Sequence, residues 1–301
     1  MKKVSLITTI IVMVCAWFAT TSYGDEVVWQ HKIEDALAMA NQGNKAVLVD
    51  FTGSDWCGWC IKLREEVTSK PEWVEAATKD FVLCEIDLKR KTPMPEDEKA
   101  YVDAMIRKYQ IQSFPSLLIL DPKGAPMAHV ETSYKDGVQG VLSIMQEALK
   151  SGRENQEKIN KSIAVLKGEG TSEQKLAAAQ DFLESSGEFT GFYSEIVDSL
   201  VGLDPENKNQ ILEKVYFMQL DQMDMQSPEG LDAVEPLARK LAALPNVSDA
   251  TKQSANVYLA ISLHAAGDKE GAMAAAKQGE GLAEFKGRPF NYAKFMEFIG
   301  K

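Results

Sequence analysis

Cysteine and histidine are both scarce in this sequence, with four and three residues among 301. The histidines, His31, His129 and His264, are scattered along the chain. A zinc site normally needs four soft ligands, usually two close cysteine pairs or one pair with histidines. Only one close cysteine pair is present, so the sequence argues against zinc. So few cysteines also argue against a scaffold held together by disulfides.

An excess of positive charge is lacking as well. The chain has 33 lysines and arginines against 44 acidic residues, which gives a net charge of −11. Binding to nucleic acid needs a basic face for the phosphates, so we expect no nucleic-acid partner. The 45% hydrophobic content is ordinary for a globular protein, and the length suggests about two domains.

No apolar run is long enough for a membrane span of about 20 residues. The nearest candidate, residues 4–19, follows Met1 and two lysines and precedes the small residues Ser22 and Gly24. This order is typical of a secretory signal peptide. We therefore predict a signal peptide over residues 1–24, cleavage after Gly24 and export to the periplasm. Three cysteines then remain: Cys57, Cys60 and Cys84.

Residues 25–150 alternate between strand-like and helix-like segments. We predict strands at 26–29, 46–51, 81–88, 116–121 and 127–132, and helices at 33–41, 61–69, 96–109 and 137–150. The runs "AVLVDF" and "FVLCEIDL" are largely apolar, as in strands buried on both faces. The pattern predicts an α/β domain with a central mixed sheet flanked by helices.

Residues 151–301 contain no strand-like run, and glycines and prolines divide them into roughly seven helical segments. Residues 255–279 weakly resemble one tetratricopeptide repeat, with Gly267 and Asp268 at the turn and Ala272 at a tight packing position. An array normally shows at least three repeats. We predict an all-helical domain of helical hairpins that binds a protein partner or dimerises.

The stretch "DWCGWC" places Cys57 and Cys60 three residues apart. A c-type haem anchor needs histidine after the second cysteine, where this chain has Ile61. A copper carrier needs nearby histidines or methionines, and Met94 and Met105 fit a loop and a helix face better. A structural disulfide is possible, although so short a loop constrains the unfolded chain little. A redox pair is the remaining interpretation.

The position of the pair favours the redox interpretation. Cys57 follows a buried strand and begins a helix, where free N–H groups and the helix dipole stabilise a thiolate. We therefore expect its pKa to lie below the free value of about 8.5. Cys60 lies one turn later on the same side. This order predicts that Cys57 attacks a substrate disulfide and that Cys60 resolves the mixed disulfide.

The segment "VDFTGSDWCGWCIKL" resembles the active-site segment of thioredoxin-fold proteins, especially exported bacterial thioredoxin-like proteins with tryptophan-rich cysteine motifs. Trp56 stands where the family has tryptophan before the first cysteine. Asp50 stands where it has a buried acid that helps deprotonate the resolving cysteine. Phe114 and Pro115 precede a strand, where the family has a cis-proline that pairs with an extended substrate.

The resemblance implies a protein thiol–disulfide oxidoreductase that needs no cofactor or metal and works with cysteine-containing substrate proteins and a thiol/disulfide redox partner. Its direction of electron flow stays open. The predicted catalytic residues are Cys57, Cys60 and Asp50, and the predicted substrate-binding residues are Trp56, Trp59, Phe114 and Pro115. The alternative is a non-catalytic module that uses the thioredoxin fold and the helical domain as a scaffold for binding a partner.

Two departures from the family pattern affect Asp50. It lies one residue farther from the first cysteine than in ordinary thioredoxins, with residues 53–55 filling the gap. The lysine that usually accompanies the buried acid is replaced by Leu83 or Cys84. We predict that Cys84 is a buried, unreactive thiol and that His129 lies at the surface.

Overall fold

The computed structural model describes residues 29–223, 225, 227–285 and 288–301. The predicted signal peptide and most of the predicted strand 26–29 lie outside this range. Gln30, just inside it, forms an isolated parallel bridge with Cys84. Within the described residues, no helix combines the length and the apolar character needed to cross a membrane.

A four-stranded mixed sheet forms the centre of the N-terminal part, with the strand order β2-β1-β3-β4. The central strand β1 (Ala46–Thr52) is parallel to β2 (Phe81–Asp87) and antiparallel to β3 (Ser116–Leu120). The strand β4 (Pro126–Val130) pairs with β3 as a hairpin. Every residue of β1 is buried. The predicted mixed sheet is confirmed, with strand ends within two residues of those predicted.

Helices cover both faces of this sheet. Alternation along β1 sends Leu48 to one face and Val49 to the other. The face of Val49 packs against α1 (Ile33–Gly43) and α4 (Glu96–Lys108). The face of Leu48 packs against α2 (Gly58–Leu63), α3 (Pro71–Asp80) and α5 (Gly137–Lys167). These three layers form the α/β part of the molecule.

The helix that follows the cysteine pair differs in detail from the prediction. It begins at Gly58, three residues before the predicted start, and α2 then widens into a π-helical turn, Arg64–Thr68. Pro71 occupies the first turn of α3, where its missing N–H costs no helical hydrogen bond. The π turn redirects the side chains that follow the cysteines, and such turns often occur at functional sites.

The long helix α5 continues to Lys167, so the predicted end at residue 150 is wrong and the proposed boundary between residues 150 and 151 falls inside a helix. The glycine that suggested a break has another role. Gly152 is buried against β4, and a Cβ at this position would lie 2.9 Å from the Cβ of Met127. The glycine therefore permits close packing of helix on strand.

In the described part of the chain, seven α-helices follow α5, whose second half also lies in residues 151–301, where roughly seven helical segments were predicted. They are α6 Ser172–Ser186, α7 Ser194–Leu200, α8 Ile211–Gln222, α9 Pro228–Ala243, α10 Asp249–Ala265, α11 Lys269–Gln278 and α12 Tyr292–Ile299. We call these the helical part. Two short strands, Glu284–Phe285 and Arg288–Pro289, were not predicted. In the hairpin of α10 and α11, Gly267 has a φ of +83° at the turn, and Ala272 is fully buried. Membership of a repeat array stays a prediction.

The helical part packs directly against the sheet. A 3₁₀ segment, Gly187–Tyr193, places Phe192 parallel to Tyr109 with their ring centroids 6.0 Å apart. Phe189 packs on His129 of β4 at 5.3 Å. His129 is therefore half-buried under a phenylalanine rather than free at the surface as predicted. These aromatic contacts join the helical part to the α/β part.

Candidate active site

Cys57 and Cys60 form a disulfide with their Cα atoms 5.3 Å apart. Cys57 is the N-cap of α2, and its Sγ accepts a hydrogen bond from the backbone N–H of Cys60 at 3.2 Å. Both cysteines are buried, with 7% and 3% of their surface exposed. In the dithiol state the same N–H and the free N–H groups of the first turn would stabilise a Cys57 thiolate. The geometry therefore suits the predicted order of attack.

Trp56 fixes the loop that leads into the pair. Its indole N–H donates a hydrogen bond to the carbonyl of Leu88 at 2.6 Å. The ring meets Phe114 edge-on at 5.6 Å, and the Arg90 guanidinium lies 3.7 Å from the ring centroid. A Cβ at Gly53 would lie 2.5 Å from this ring, so glycine is required there. Trp56 thus joins the cysteine loop to the loop that carries Phe114.

Two of the residues between Asp50 and Trp56 hold a second loop in place. Ser54 donates hydrogen bonds from its N–H and its hydroxyl to Asp87. The Asp55 carboxylate accepts the backbone N–H groups of Arg90, Lys91 and Thr92 at 2.6–3.0 Å. These bonds lower the pKa of Asp55 to about 2, because they favour the ionised form. The sequence showed that this segment is longer than in ordinary thioredoxins, and the structure shows that its polar side chains bind the loop of residues 87–92.

Trp59 is placed differently from Trp56. It lies between the cysteines with 54% of its surface exposed. Its ring packs against Tyr134 at 5.3 Å, and the ammonium of Lys135 lies 5.5 Å from its centroid. Lys62 approaches the Tyr134 ring at 4.9 Å. The result is a half-open aromatic surface with two cations beside the disulfide. Its predicted role in substrate binding stays a prediction.

The Phe114–Pro115 bond is cis, as the resemblance implied. Pro115 directly precedes β3, whose first residue, Ser116, pairs with Phe51 at the carboxyl end of β1. The cysteine pair follows the same end of β1. The structure therefore brings the Phe114 loop and the cysteine loop to one edge of the sheet, where the rings of Trp56 and Phe114 connect them.

Asp50 lies beneath this edge, on the sheet face that packs against the active-site helix. Successive side chains of a strand point to opposite faces of the sheet. Val49 and Phe51 point to one face, so Asp50 points to the other, which also carries Leu48 and Leu63. Only 4% of Asp50 is exposed, and its Oδ1 has no hydrogen-bond partner among the described residues. Burial raises the pKa of Asp50 to about 7, a positive charge on Arg64 opposes that rise, and the negative charge of Asp87 adds to it.

The charged residues nearest to Asp50 were missed by the sequence interpretation. Leu83 lies on the sheet face of Asp50 and Cys84 on the other, and a cation reaches Asp50 from Arg64 of the π turn instead. The Arg64 guanidinium forms an ion pair with Glu85, which lies beside Asp50 in the register of β1 and β2. A charged residue inside the otherwise apolar run "FVLCEI" was the available signal. The role of Arg64 depends on tertiary contacts that no spacing rule reveals.

Cys84 is the remaining cysteine in the described residues, and it is free and fully buried. It lies on the sheet face opposite Asp50, among Val49, Ile86 and Leu118. Burial raises the pKa of the Cys84 thiol to about 12. The prediction of a buried thiol is confirmed. Among the described residues, no group of three or more histidine, cysteine or acidic side chains is arranged to hold a metal ion.

Residues 33–138 match the family model of the thioredoxin-like domain. This match covers the sheet, the cysteine pair and the cis-proline loop described above. The N-terminal part of the chain is therefore a thioredoxin-like domain, and a mostly helical region follows it.

Two curated relatives, both from Chlamydia pneumoniae, share this similarity. The chain is 30% identical to the disulfide bond reductase DsbH over 102 residues, which are 34% of this chain and 61% of that protein. It is 31% identical to the thioredoxin-related protein DsbJ over 96 residues, which are 32% of this chain and 28% of that protein. The chain thus spans less than two thirds of either relative.

Two solved structures are also similar. A structure of the DsbH oxidoreductase is 28% identical, with a TM-score of 0.38, and the match covers 41% of this chain and 85% of that one. A thioredoxin from Thermus thermophilus is 22% identical, with a TM-score of 0.29, and the match covers 41% of this chain and 86% of that one.

Proposed function

We propose that this protein is an exported thiol–disulfide oxidoreductase that acts on protein disulfides through Cys57 and Cys60. The observation that carries the proposal is the Cys57–Cys60 disulfide at the start of a helix, with a buried carboxyl below it and a cis-proline loop beside it. A disulfide that closes so short a loop stabilises the fold little. Its position at a helix N-terminus instead favours reversible chemistry.

The proposed reaction moves two electrons from the enzyme to a substrate disulfide. The Cys57 thiolate attacks one sulfur of that disulfide, a mixed disulfide forms, and the other substrate sulfur leaves as a thiolate. Cys60 then gives its proton to Asp50 and attacks the Cys57 sulfur. The Cys57–Cys60 disulfide forms, and the second substrate thiolate leaves and takes a proton. A thiol or dithiol reductant restores the enzyme, and the reverse sequence would oxidise a substrate.

We propose the reductive direction because one relative is named a disulfide bond reductase. Substrates would approach the surface formed by Trp59, Phe114 and Pro115, and the exposed Trp59 ring would supply apolar contact. Export is proposed from the pattern of residues 1–24 alone. N-terminal sequencing of the protein recovered from a periplasmic fraction tests it, and a mature chain that begins at Asp25 is expected.

Insulin reduction by dithiothreitol or glutathione tests the activity with three matched cysteine variants. We expect Cys57→Ser to abolish catalysis, and Cys60→Ser to accumulate mixed disulfides with the substrate. Cys84→Ser should keep the wild-type rate, because Cys84 lies on the other face of the sheet. Full activity in Cys57→Ser would refute the mechanism.

An equilibrium titration of the cysteine pair against glutathione determines the direction. A reducing potential close to that of thioredoxin, about −270 mV, is the expected result. If the bridge is inert to glutathione and Cys57 forms no thiolate below pH 8, the thioredoxin fold serves only as a platform for partner binding.

A further inference from the structure

A half-open cavity of about 310 Å³ lies beside Asp50, on the side away from the cis-proline loop. Its wall includes Asp50, Arg64, Glu85 and His31, and its volume can hold several water molecules. The Asp50 carboxyl is otherwise enclosed by apolar residues. A proton that leaves or reaches Asp50 therefore has a polar route to solvent past Arg64 and Glu85.

We propose that Arg64 and Glu85 are a pair of positioning residues that set the charge state of Asp50, and thereby the pH range in which Cys60 can be deprotonated. This inference rests on the proposed function. Neither residue needs to touch the substrate. Arg64 belongs to the π turn directly after the cysteine helix, and Glu85 belongs to the strand beside Asp50. Their ion pair thus joins the active-site helix to the strand next to the buried acid.

The two members of the pair act on Asp50 with opposite signs. The Arg64 cation favours the carboxylate of Asp50, whereas a carboxylate at Glu85 disfavours it. While the two are paired, each also reduces the effect of the other. Only 16% of the Glu85 side chain is exposed, so solvent screens its charge less than at an open surface, whereas the Arg64 side chain is 41% exposed and its charge is partly screened.

The other charged or titratable groups around Asp50 are few. Asp87 lies two residues beyond Glu85 on the same strand and opposes ionisation of Asp50. His31, from the segment before α1, has its Nδ1 3.8 Å from a carboxylate oxygen of Glu85 and is largely exposed. Cys60 lies on the helix above and is bound in the disulfide. Within the described part of the chain, Arg64 is the cation whose charge acts on Asp50, so its removal should have the clearest effect.

The test uses the full chain with residues 1–24 removed and a ¹³C NMR titration of the Asp50 carboxyl in the oxidised protein. We expect Arg64→Met to raise the midpoint of Asp50 by about one pH unit, the lower end of the effect of a neighbouring cation. Glu85→Gln should lower it, because the Arg64 cation then has no carboxylate at residue 85 to offset it. Arg64→Lys should keep most of the wild-type value, and the exposed Arg153→Met is the control and should shift nothing.

The second readout is the pH dependence of the step in which Cys60 resolves a mixed disulfide with glutathione. Its acid limb should move by the same amount and in the same direction as the Asp50 midpoint in each variant. In an Asp50→Asn background, Arg64→Met should move the limb no further. A purely structural role of the pair predicts a loss of stability, without opposite shifts for the two variants.

The outcomes separate the two proposals. Unchanged midpoints, or shifts of the same sign in Arg64→Met and Glu85→Gln, would overturn the role of the pair whatever the exchange rates are. A shift of the acid limb by Arg64→Met in the Asp50→Asn background would overturn the role of the pair too. If the wild-type protein does not exchange disulfides at all, the proposed function fails, while the NMR midpoints still decide whether the pair controls Asp50.

Discussion

Replacing Asp50 with asparagine should remove a large pH dependence from the stability of the thioredoxin-like domain. Asp50 is buried and its pKa is raised from 3.8 to about 7 in the folded protein. A group whose pKa is raised on folding prefers to be protonated in the native state. Its favourable contribution is complete below pH 3.8 and is lost as the pH rises through 7.

The size of the effect follows from this difference. A shift of about three pH units, at 1.36 kcal/mol each, corresponds to about 4 kcal/mol of unfolding free energy. We treat this as an upper value, because relaxation and water in the adjacent cavity reduce the cost of the buried charge. Asparagine has a similar shape and does not ionise. Asp50→Asn should therefore be more stable than the wild type at pH 8 by a few kcal/mol, and this gain should vanish near pH 4.

Urea unfolding followed by tryptophan fluorescence measures this directly. Trp17 lies in the predicted signal peptide, and the other four tryptophans lie between residues 29 and 73, so their fluorescence reports on the thioredoxin-like domain and not on the helical part. The control is Asp181→Asn, an exposed aspartate on α6. Comparing the change between pH 4 and pH 8 in the two variants cancels the titration of other carboxylates.

The reasoning would be refuted by an equal effect of Asp50→Asn at both pH values. Such a result would mean that the Asp50 carboxyl titrates in the folded protein as it does in the unfolded chain. A loss of stability at pH 8 would contradict it more strongly, because it would show that the Asp50 carboxylate makes favourable contacts that the described side chains do not supply.

Three further predictions follow from contacts elsewhere in the fold. Trp59→Ala should change the unfolding free energy by less than about 1 kcal/mol, because the ring is half exposed, and should lower kcat/KM for insulin roughly tenfold; an unchanged kcat/KM would exclude Trp59 from the substrate surface. Phe192→Ala removes the ring that stacks on Tyr109 and should lower the unfolding free energy of the thioredoxin-like domain by about 2 kcal/mol, measured by tryptophan fluorescence. The control Phe298→Ala, at an exposed position near the end of the helical part, should not move that transition. Equal effects of the two variants would contradict the packing of the two parts. In the reduced chain without residues 1–24, the cysteine pair should release two equivalents of thionitrobenzoate from Ellman's reagent, because Cys57 attacks the reagent and Cys60 then closes the disulfide. Cys84 should react only after unfolding, since it has no neighbouring thiol to pair with and is buried with its pKa raised to about 12; a third equivalent released equally fast from the folded protein would disprove this.

The position of the active-site segment could be predicted from sequence because its signals are local. The apolar run that forms β1, the cysteine pair at the start of α2 and Pro115 before β3 each depend on a few adjacent residues. Strand ends were within two residues for the same reason. The helix end predicted at residue 150 was wrong. Gly152 does not end the helix; it lacks a side chain because Met127 of the neighbouring strand packs closely against it.

The ion pairs around Asp50 and the packing of the helical part on the sheet could not be predicted from local sequence signals. Nothing in the sequence places Arg64 against Glu85, since that contact depends on how a π turn lies over a strand about twenty residues later. The same holds for Phe189, which covers His129 from a segment sixty residues away. In both cases the contact depends on packing between elements, which periodicity within one element does not encode.

The sequence alone thus determined the fold class of the N-terminal part, the helical character of the rest and the cysteine pair as the centre of interest. It did so because hydrophobic periodicity and residue types at a helix start are properties of short segments. Only the tertiary structure decided that a cation from the π turn acts on the buried Asp50, that Trp56 is held by a hydrogen bond and ring contacts while Trp59 is exposed, and that the two parts share an aromatic contact. Burial and charge at these positions arise from residues distant in the chain, and such contacts determine pKa values and accessibility.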